Sequence, residues 1–210
     1  MQITATGLSK RFAREWIFRG LSHTFAAGSA TAILGPNGAG KSTLLNTLAG
    51  QLLPTQGTVA YLENDRAVAV EDVPQRLAYA APYLELIEEL TLTELIKFHT
   101  RFKPLRPGLT SDELVSLMYL EKSRHKLIRD FSSGMKQRLK LALALYADAP
   151  LLLLDEPTTN LDRTGVAWYR EHVAATRAGR TVLVSSNVPE EYDFCEQQLQ
   201  ITDFGAQAAR

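Results

Sequence analysis

Residues 35–43 read GPNGAGKST, and the placing of Gly35, Gly40, Lys41 and Ser42 suits one kind of chemistry, the holding of a nucleotide's phosphates. Glycines at 35, 38 and 40 let backbone N–H groups close around phosphate oxygens where a Cβ would intrude. Pro36, Asn37 and Ala39 complete the loop. Lys41 is long enough to reach terminal phosphates, and the hydroxyl of Ser42, followed by Thr43, is a hard oxygen suited to Mg2+. Residues 31–34 before the loop are short, apolar and β-compatible. Residues 42–49 after it carry Leu44, Leu45 and Leu48 on one helical face, so a helix N-terminus adds its positive end to the cradle.

Two further groups belong to the same chemistry. Residues 151–156, LLLLDE, read as a buried parallel strand ending in two carboxylates, where strand C-termini of an open α/β sheet meet ligands. Asp155 is a candidate Mg2+ ligand, and Glu156 a candidate for polarising the water that attacks a γ-phosphate. Residues 131–138, FSSGMKQR, place Ser132 and Ser133 as caps of a helix beginning near Gly134, a second anion-binding helix end. From 121 to 140 there are seven Lys/Arg against two acids.

Positioning these groups requires an α/β core. Ile3, residues 16–18 and the alternating 23–25 read as short strands ahead of the loop, and 57–61, 77–81, 151–154 and 181–185 as further strands. Between 84 and 147 the pattern becomes helical. An acidic helix is expected over 84–102, ended by Pro104, Pro107 and Gly108, a second from Thr110 with Leu114, Leu117 and Met118 on one face, and a third after Gly134. The expected division is a core of 1–83 and 148–210 with a helical subdomain inserted at about 84–147.

The 210 residues carry 23 basic and 23 acidic side chains, so no global field attracts nucleic acid, and the basic residues are mostly interleaved with acids. One cysteine, Cys195, excludes an internal disulfide and a cysteine metal cluster. The first residues lack the basic and apolar regions of a signal peptide, and no apolar run approaches the roughly 20 residues of a membrane span. A cytoplasmic protein is expected, with any membrane contact made through a partner.

The ordered combination resembles the ABC-transporter ATPase family over nearly the whole chain. Residues 35–43 are similar to its Walker A loop, 151–156 to its Walker B strand with the adjoining glutamate, 131–135 to its signature, and 160–162, including Asp162, to its D-loop; Phe12 matches the aromatic that stacks on adenine. The resemblance implies a P-loop NTPase fold that hydrolyses Mg-ATP to ADP and phosphate. It implies a homodimer or heterodimer of two such ATPases, in which Ser132 and Gly134 act on the nucleotide of the other copy. It implies integral membrane subunits as partners, export as the leaning direction, and a place on the inner face of the cell membrane. Tyr83, Leu84, Leu86, Ile87 and Leu90 occupy the stretch where the family docks its membrane partner.

Two positions depart from that family. Pro82 stands where a glutamine contacts Mg2+, and proline has neither a liganding side chain nor an N–H. Asn187 stands where a histidine contacts the γ-phosphate; it donates a hydrogen bond but is shorter and carries no proton as imidazole does. With Lys41, Ser42, Asp155 and Glu156 retained, the expectation is an active but slow ATPase. The alternatives are a non-transport ABC ATPase and a nucleotide-gated switch that barely hydrolyses.

Overall fold

The computed structural model describes residues 1–205. Nine strands and six α-helices follow in chain order: β1 (Gln2–Phe12), β2 (Glu15–Phe25), β3 (Ala30–Leu34), α1 (Lys41–Leu48), β4 (Gln56–Glu63), β5 (Arg66–Val68), α2 (Val73–Arg76), β6 (Leu77–Ala80), α3 (Leu92–His99), α4 (Ser111–Leu117), α5 (Ser133–Leu145), β7 (Leu151–Asp155), α6 (Arg163–Thr176), β8 (Thr181–Ser185) and β9 (Gln197–Gln200). They form two sheets. An antiparallel one runs β2-β1-β4-β5, and a parallel one runs β6-β7-β8-β3-β9.

The parallel sheet is covered on both faces, so β3, β7 and β8 are mostly apolar and buried at every residue, with Thr31, Asp155, Thr181 and Ser185 the polar exceptions. Strand alternation divides the core. Ile33, Leu151, Leu153 and Leu183 face α1, which lies between the two sheets against Ile3, Leu8, Phe18 and Phe25. Leu152, Leu154, Val182 and Val184 face the other way, onto α3 to α6. In β7 this alternation continues through Leu151 and Leu153 to Asp155, which places the carboxylate on the α1 side of the sheet.

The structure differs from the sequence-based expectation in three places. The short strands expected near 3, 16–18 and 23–25 are two eleven-residue strands joined by a tight turn at Ala13, whose φ is 50°. Residues 84–90 are not helical. Their acids at 85, 88 and 89 imitate an amphipathic helix, but the backbone is engaged elsewhere: the carbonyls of Glu88 and Leu90 accept from the N–H groups of Arg129 (3.1 Å) and Ile128 (2.9 Å). Helix α3 begins only at Leu92, fixed by a capping box in which Thr91 and Glu94 satisfy each other's backbone donors. Residues 163–176 and 197–200, with no element assigned from the sequence, form α6 and the edge strand β9. Cys195 is half-buried, and burial pushes its thiol up to about 12, which keeps it protonated and inert.

Helix α5 ends on Arg180, a buried side chain 4% exposed. Its guanidinium donates to the carbonyls of Leu145 (2.8 Å) and Ala144 (3.2 Å), open C-terminal carbonyls of α5 that favour this sign of charge, and to that of Ala149 (2.8 Å) in the loop beyond. Replacing it leaves three carbonyls without this donor in a space that is mostly closed to water. Arg180→Ala is expected to lower unfolding free energy by about 2–4 kcal/mol, measured by urea denaturation.

Candidate functional site

Between β3 and α1 the chain turns through residues 35–40 with Gly35, Gly38 and Gly40 at φ of 149°, 81° and 98°. The requirement for glycine is sharpest at Gly40, the N-cap of α1: a Cβ there would lie 2.3 Å from Cγ2 of Ile17 in β2. The β1–β2 hairpin is thereby pressed against the loop. Phe12, near the hairpin tip, is 47% exposed, with the Lys10 ammonium 5.0 Å from its ring centre. An exposed aromatic face beside a cation is a surface on which a planar base can stack.

Lys41 opens α1 and is only 5% exposed. Its Nζ donates to the carbonyls of Gly35 (2.7 Å) and Pro36 (3.3 Å), so the ammonium sits inside the curve of the loop. Ser42 and Thr43 follow on the first turn of α1.

Asp155, the last residue of β7, is 1% exposed, and neither carboxylate oxygen has a hydrogen-bond partner. Through the parallel register it is level with Ser185 of β8 and Ile33 of β3, and the buried Ser185 hydroxyl in that row is also without a partner. A buried carboxylate left this way is costly unless a cation or several donors meet it. Asp155 faces the helix that carries Ser42, and hydroxyl plus carboxylate is an all-oxygen set that fits Mg2+. No group of three or more His, Cys, Asp or Glu that could hold a metal exists among the described residues. The protein groups that would hold a cation here are thus the Asp155 carboxylate and the Ser42 hydroxyl, leaving room for phosphate or water.

The next residue, Glu156, leaves the strand with φ 43°, its N–H bonded to the carbonyl of Ser185 at 2.9 Å. This positive φ in a non-glycine residue costs of order 1 kcal/mol and aims the side chain away from the direction strand geometry would dictate. Asn187, just beyond β8, donates from Nδ2 to Oδ1 of Asn37 at 3.0 Å, and so reaches the loop 35–40 directly. Lys41, Asp155, Glu156 and Asn187 thus converge from the C-terminal ends of β3, β7 and β8, where open parallel sheets bind ligands.

The second helix end is separate. Ser132 is the N-cap of α5, its hydroxyl accepting from the N–H of Met135 at 3.2 Å; Ser133, expected as a second cap, is the first helical residue. Among the described residues no hydrogen bond joins Ser132 or Gly134 to residues 35–43. Instead a Cβ at Gly134 would come within 3.2 Å of the Asn160 carbonyl, and the buried Gln137 donates to the Pro157 carbonyl at 2.8 Å. Asp162 has a structural duty of its own. It is the N-cap of α6, accepting from Gly165 N–H (2.8 Å) and the Thr164 hydroxyl (2.8 Å), and the first of these bonds leads in holding its carboxyl below the usual range.

Two residues beside the site, Glu191 and Tyr79, escaped the sequence reading, and Tyr83, named there only as a docking candidate, has a hydrogen-bonding role it did not foresee. Glu191, 2% exposed, accepts from the N–H of Thr158 at 2.7 Å and from its hydroxyl, tying the segment after β7 to the segment after β8. Tyr79 and Tyr83 share a hydrogen bond through their hydroxyls, and Tyr83 also accepts from Asn46 Nδ2 at 3.1 Å. Nothing in the spacing of these residues signals them, because each contact spans separate elements. Of the apolar residues at 83–90, Leu86 and Leu90 pack on the core, while Tyr83 and Ile87 are exposed. With Lys136 and Lys140 this stretch lines an open groove of about 620 Å³.

Comparison with known proteins agrees with this geometry. The family pattern described as ABC transporter matches residues 18–159. The chain is 33% identical over 207 residues to a daunorubicin resistance ATP-binding protein of Streptomyces coeruleorubidus, covering 97% of this chain and 66% of that protein. It is 32% identical over 212 residues to a Nod factor export ATP-binding protein of Rhizobium johnstonii, covering 99% and 68%. The chain therefore spans about two thirds of the length of these relatives. Among solved structures, a dimeric ATP-binding cassette in a post-hydrolysis state with ADP and Pi superposes with a TM-score of 0.81 at 21% identity, covering 95% of this chain and 94% of that one. With a phosphate loop, a strand-end carboxylate pair and a capped signature helix carried on this fold, the chain belongs to the ABC transporter family, as one of its ATP-binding ATPase cassettes.

Proposed function

We propose that the chain is the Mg-ATP-hydrolysing subunit of a membrane exporter, working as a dimer of cassettes on separately encoded transmembrane subunits at the inner face of the cell membrane. The observation that carries the nucleotide chemistry is the buried Asp155 carboxylate, without a partner and level with the start of the phosphate loop. Asp155 and the Ser42 hydroxyl are the residues to hold Mg2+, which there offsets phosphate charge. Lys41 exchanges its loop carbonyls for phosphate oxygens. Phe12 stacks on the base, and residues 35–43 donate backbone N–H groups to the phosphates. Glu156 accepts the proton of the attacking water as the bond between the γ-phosphorus and its bridging oxygen breaks, giving ADP and phosphate. Asn187 donates its amide hydrogen bond to the γ-phosphate.

The separation of the two helix ends supports the dimer. Ser132 and Gly134 lie on a surface of their own, exposed or half-buried, without a bond to the phosphate loop of their own chain. A second cassette, identical or different, brings the positive N-terminus of α5 to a nucleotide held by the first, and Asp162 lies beside that contact. Export is supported by the relatives named for drug resistance and Nod factor export. No helix of the described residues is long and apolar enough to cross a membrane. The helical unit at about 84–147 is the part proposed to meet them. A nucleotide-gated switch is the second reading, favoured by Pro82 and Asn187 at two positions where this family places reactive groups.

Three measurements test this. Turnover of purified protein is expected to fall about 10²–10⁴-fold in Glu156→Gln, with ATP binding and ATP-dependent dimerisation retained; equal rates in both proteins favour the switch. Asn187→His is expected to raise turnover by about tenfold; an unchanged or lower rate shows that asparagine does not limit it. Asp155→Asn removes an uncompensated buried charge. Without nucleotide or Mg2+ it is expected to unfold at higher temperature, by about 1–3 kcal/mol of added stability, while losing the extra stabilisation that Mg2+ gives to ATP-bound protein.

A further inference from the structure

Pro82 removes the side chain that the family places beside the metal, yet the space next to it is not empty of polar groups. Tyr79, the last residue but one of β6, lies on the α1 side of the sheet, the same side as Asp155. Tyr83 follows one turn later, its hydroxyl joined to that of Tyr79 and accepting from Asn46 of α1 at 3.1 Å. Asn46 fills one lone pair of the Tyr83 oxygen. With Tyr79 donating, the second is filled as well, and Tyr83 keeps one proton for an outside acceptor. Asp155 is the complementary case, an acceptor on both oxygens with no donor on either. Burial first, then the hydrogen bond to Tyr83 and after it the nearby Asp155 charge, raise the Tyr79 phenol; burial likewise leads in raising Tyr83, and Asp155 adds to it. Both phenols therefore stay protonated at neutral pH and can donate.

We infer that Tyr83 is the positioning residue this chain uses in place of the missing glutamine: its hydroxyl, braced by Tyr79 and Asn46, holds the Asp155 carboxylate, or a water on it, in the arrangement that accepts Mg2+. The inference rests on the Mg-ATP reading of the site. It also gives the metal site a physical connection to the groove, because the Tyr83 ring lines the groove wall beside Lys136 and Lys140. Lys140 donates to the Pro82 carbonyl at 2.6 Å and so fixes the backbone from which Tyr83 projects.

The test uses the full chain in a Glu156→Gln background, where nucleotide is bound without turnover. Affinity for a fluorescent ATP analogue is titrated with Mg2+, and separately measured in EDTA. Tyr83→Phe keeps the ring and removes only the hydroxyl. It is expected to raise the Mg2+ concentration for half-maximal effect about three- to tenfold, with the loss confined to the Mg2+ arm; Tyr79→Phe shifts it in the same direction. An unshifted Mg2+ requirement in Tyr83→Phe overturns the inference, as does an equal loss in EDTA, which marks a packing role. If the parent protein shows no Mg2+ effect at all, the Mg-ATP reading fails and takes the role of Tyr83 with it.

Discussion

A single carboxylate sets the terms for much of this molecule. Asp155 is placed by strand alternation on the α1 side of the sheet, beside Ile33, Leu153 and Leu183, and neither of its oxygens has a hydrogen-bond partner. A charge so placed is tolerated only where folding gains enough elsewhere, and the covered strands β3, β7 and β8 supply that gain.

The surroundings of that carboxylate are built from pieces that each need another. The loop 35–40 can turn tightly only because Gly40 has no Cβ to strike Ile17, and Ile17 is in place only because β1 and β2 run long enough to reach the loop. Lys41 is buried inside the same turn, its charge met by two carbonyls. A cation held within the loop and an anion held at the neighbouring strand end leave, between them, a place that suits a polyphosphate carrying its own divalent ion.

Much of this was legible in the sequence, for physical reasons that differ by element. The phosphate loop, the four-leucine strand and the capped helix at 133 are local features, since turn geometry, burial on both faces and an N-cap depend on residues a few positions apart. Residues 84–90 misled because their acidic, helix-like spacing is local while the competing hydrogen bonds come from 128 and 129. Glu191 and the pair Tyr79–Tyr83 were invisible because their partners, Thr158 and Asn46, lie on other elements. Strand β9 carries three glutamines in four residues, a composition that gives no apolar signal, and only its pairing with β3 makes it a strand.

Three contacts in the region after β7 have a mechanical consequence. Gln137 is bonded to Pro157, the Asn160 carbonyl sits against Gly134, and Glu191 grips Thr158. The helix cap at 132, the turn leaving Glu156 and the segment beyond Asn187 are therefore one stiff plate rather than three loops. A push delivered to the outer edge of such a plate reaches Glu156 as displacement, with no segment having to melt or refold on the way. A softening of any of the three contacts would loosen the turn that carries Glu156 before it disturbed residues 35–43.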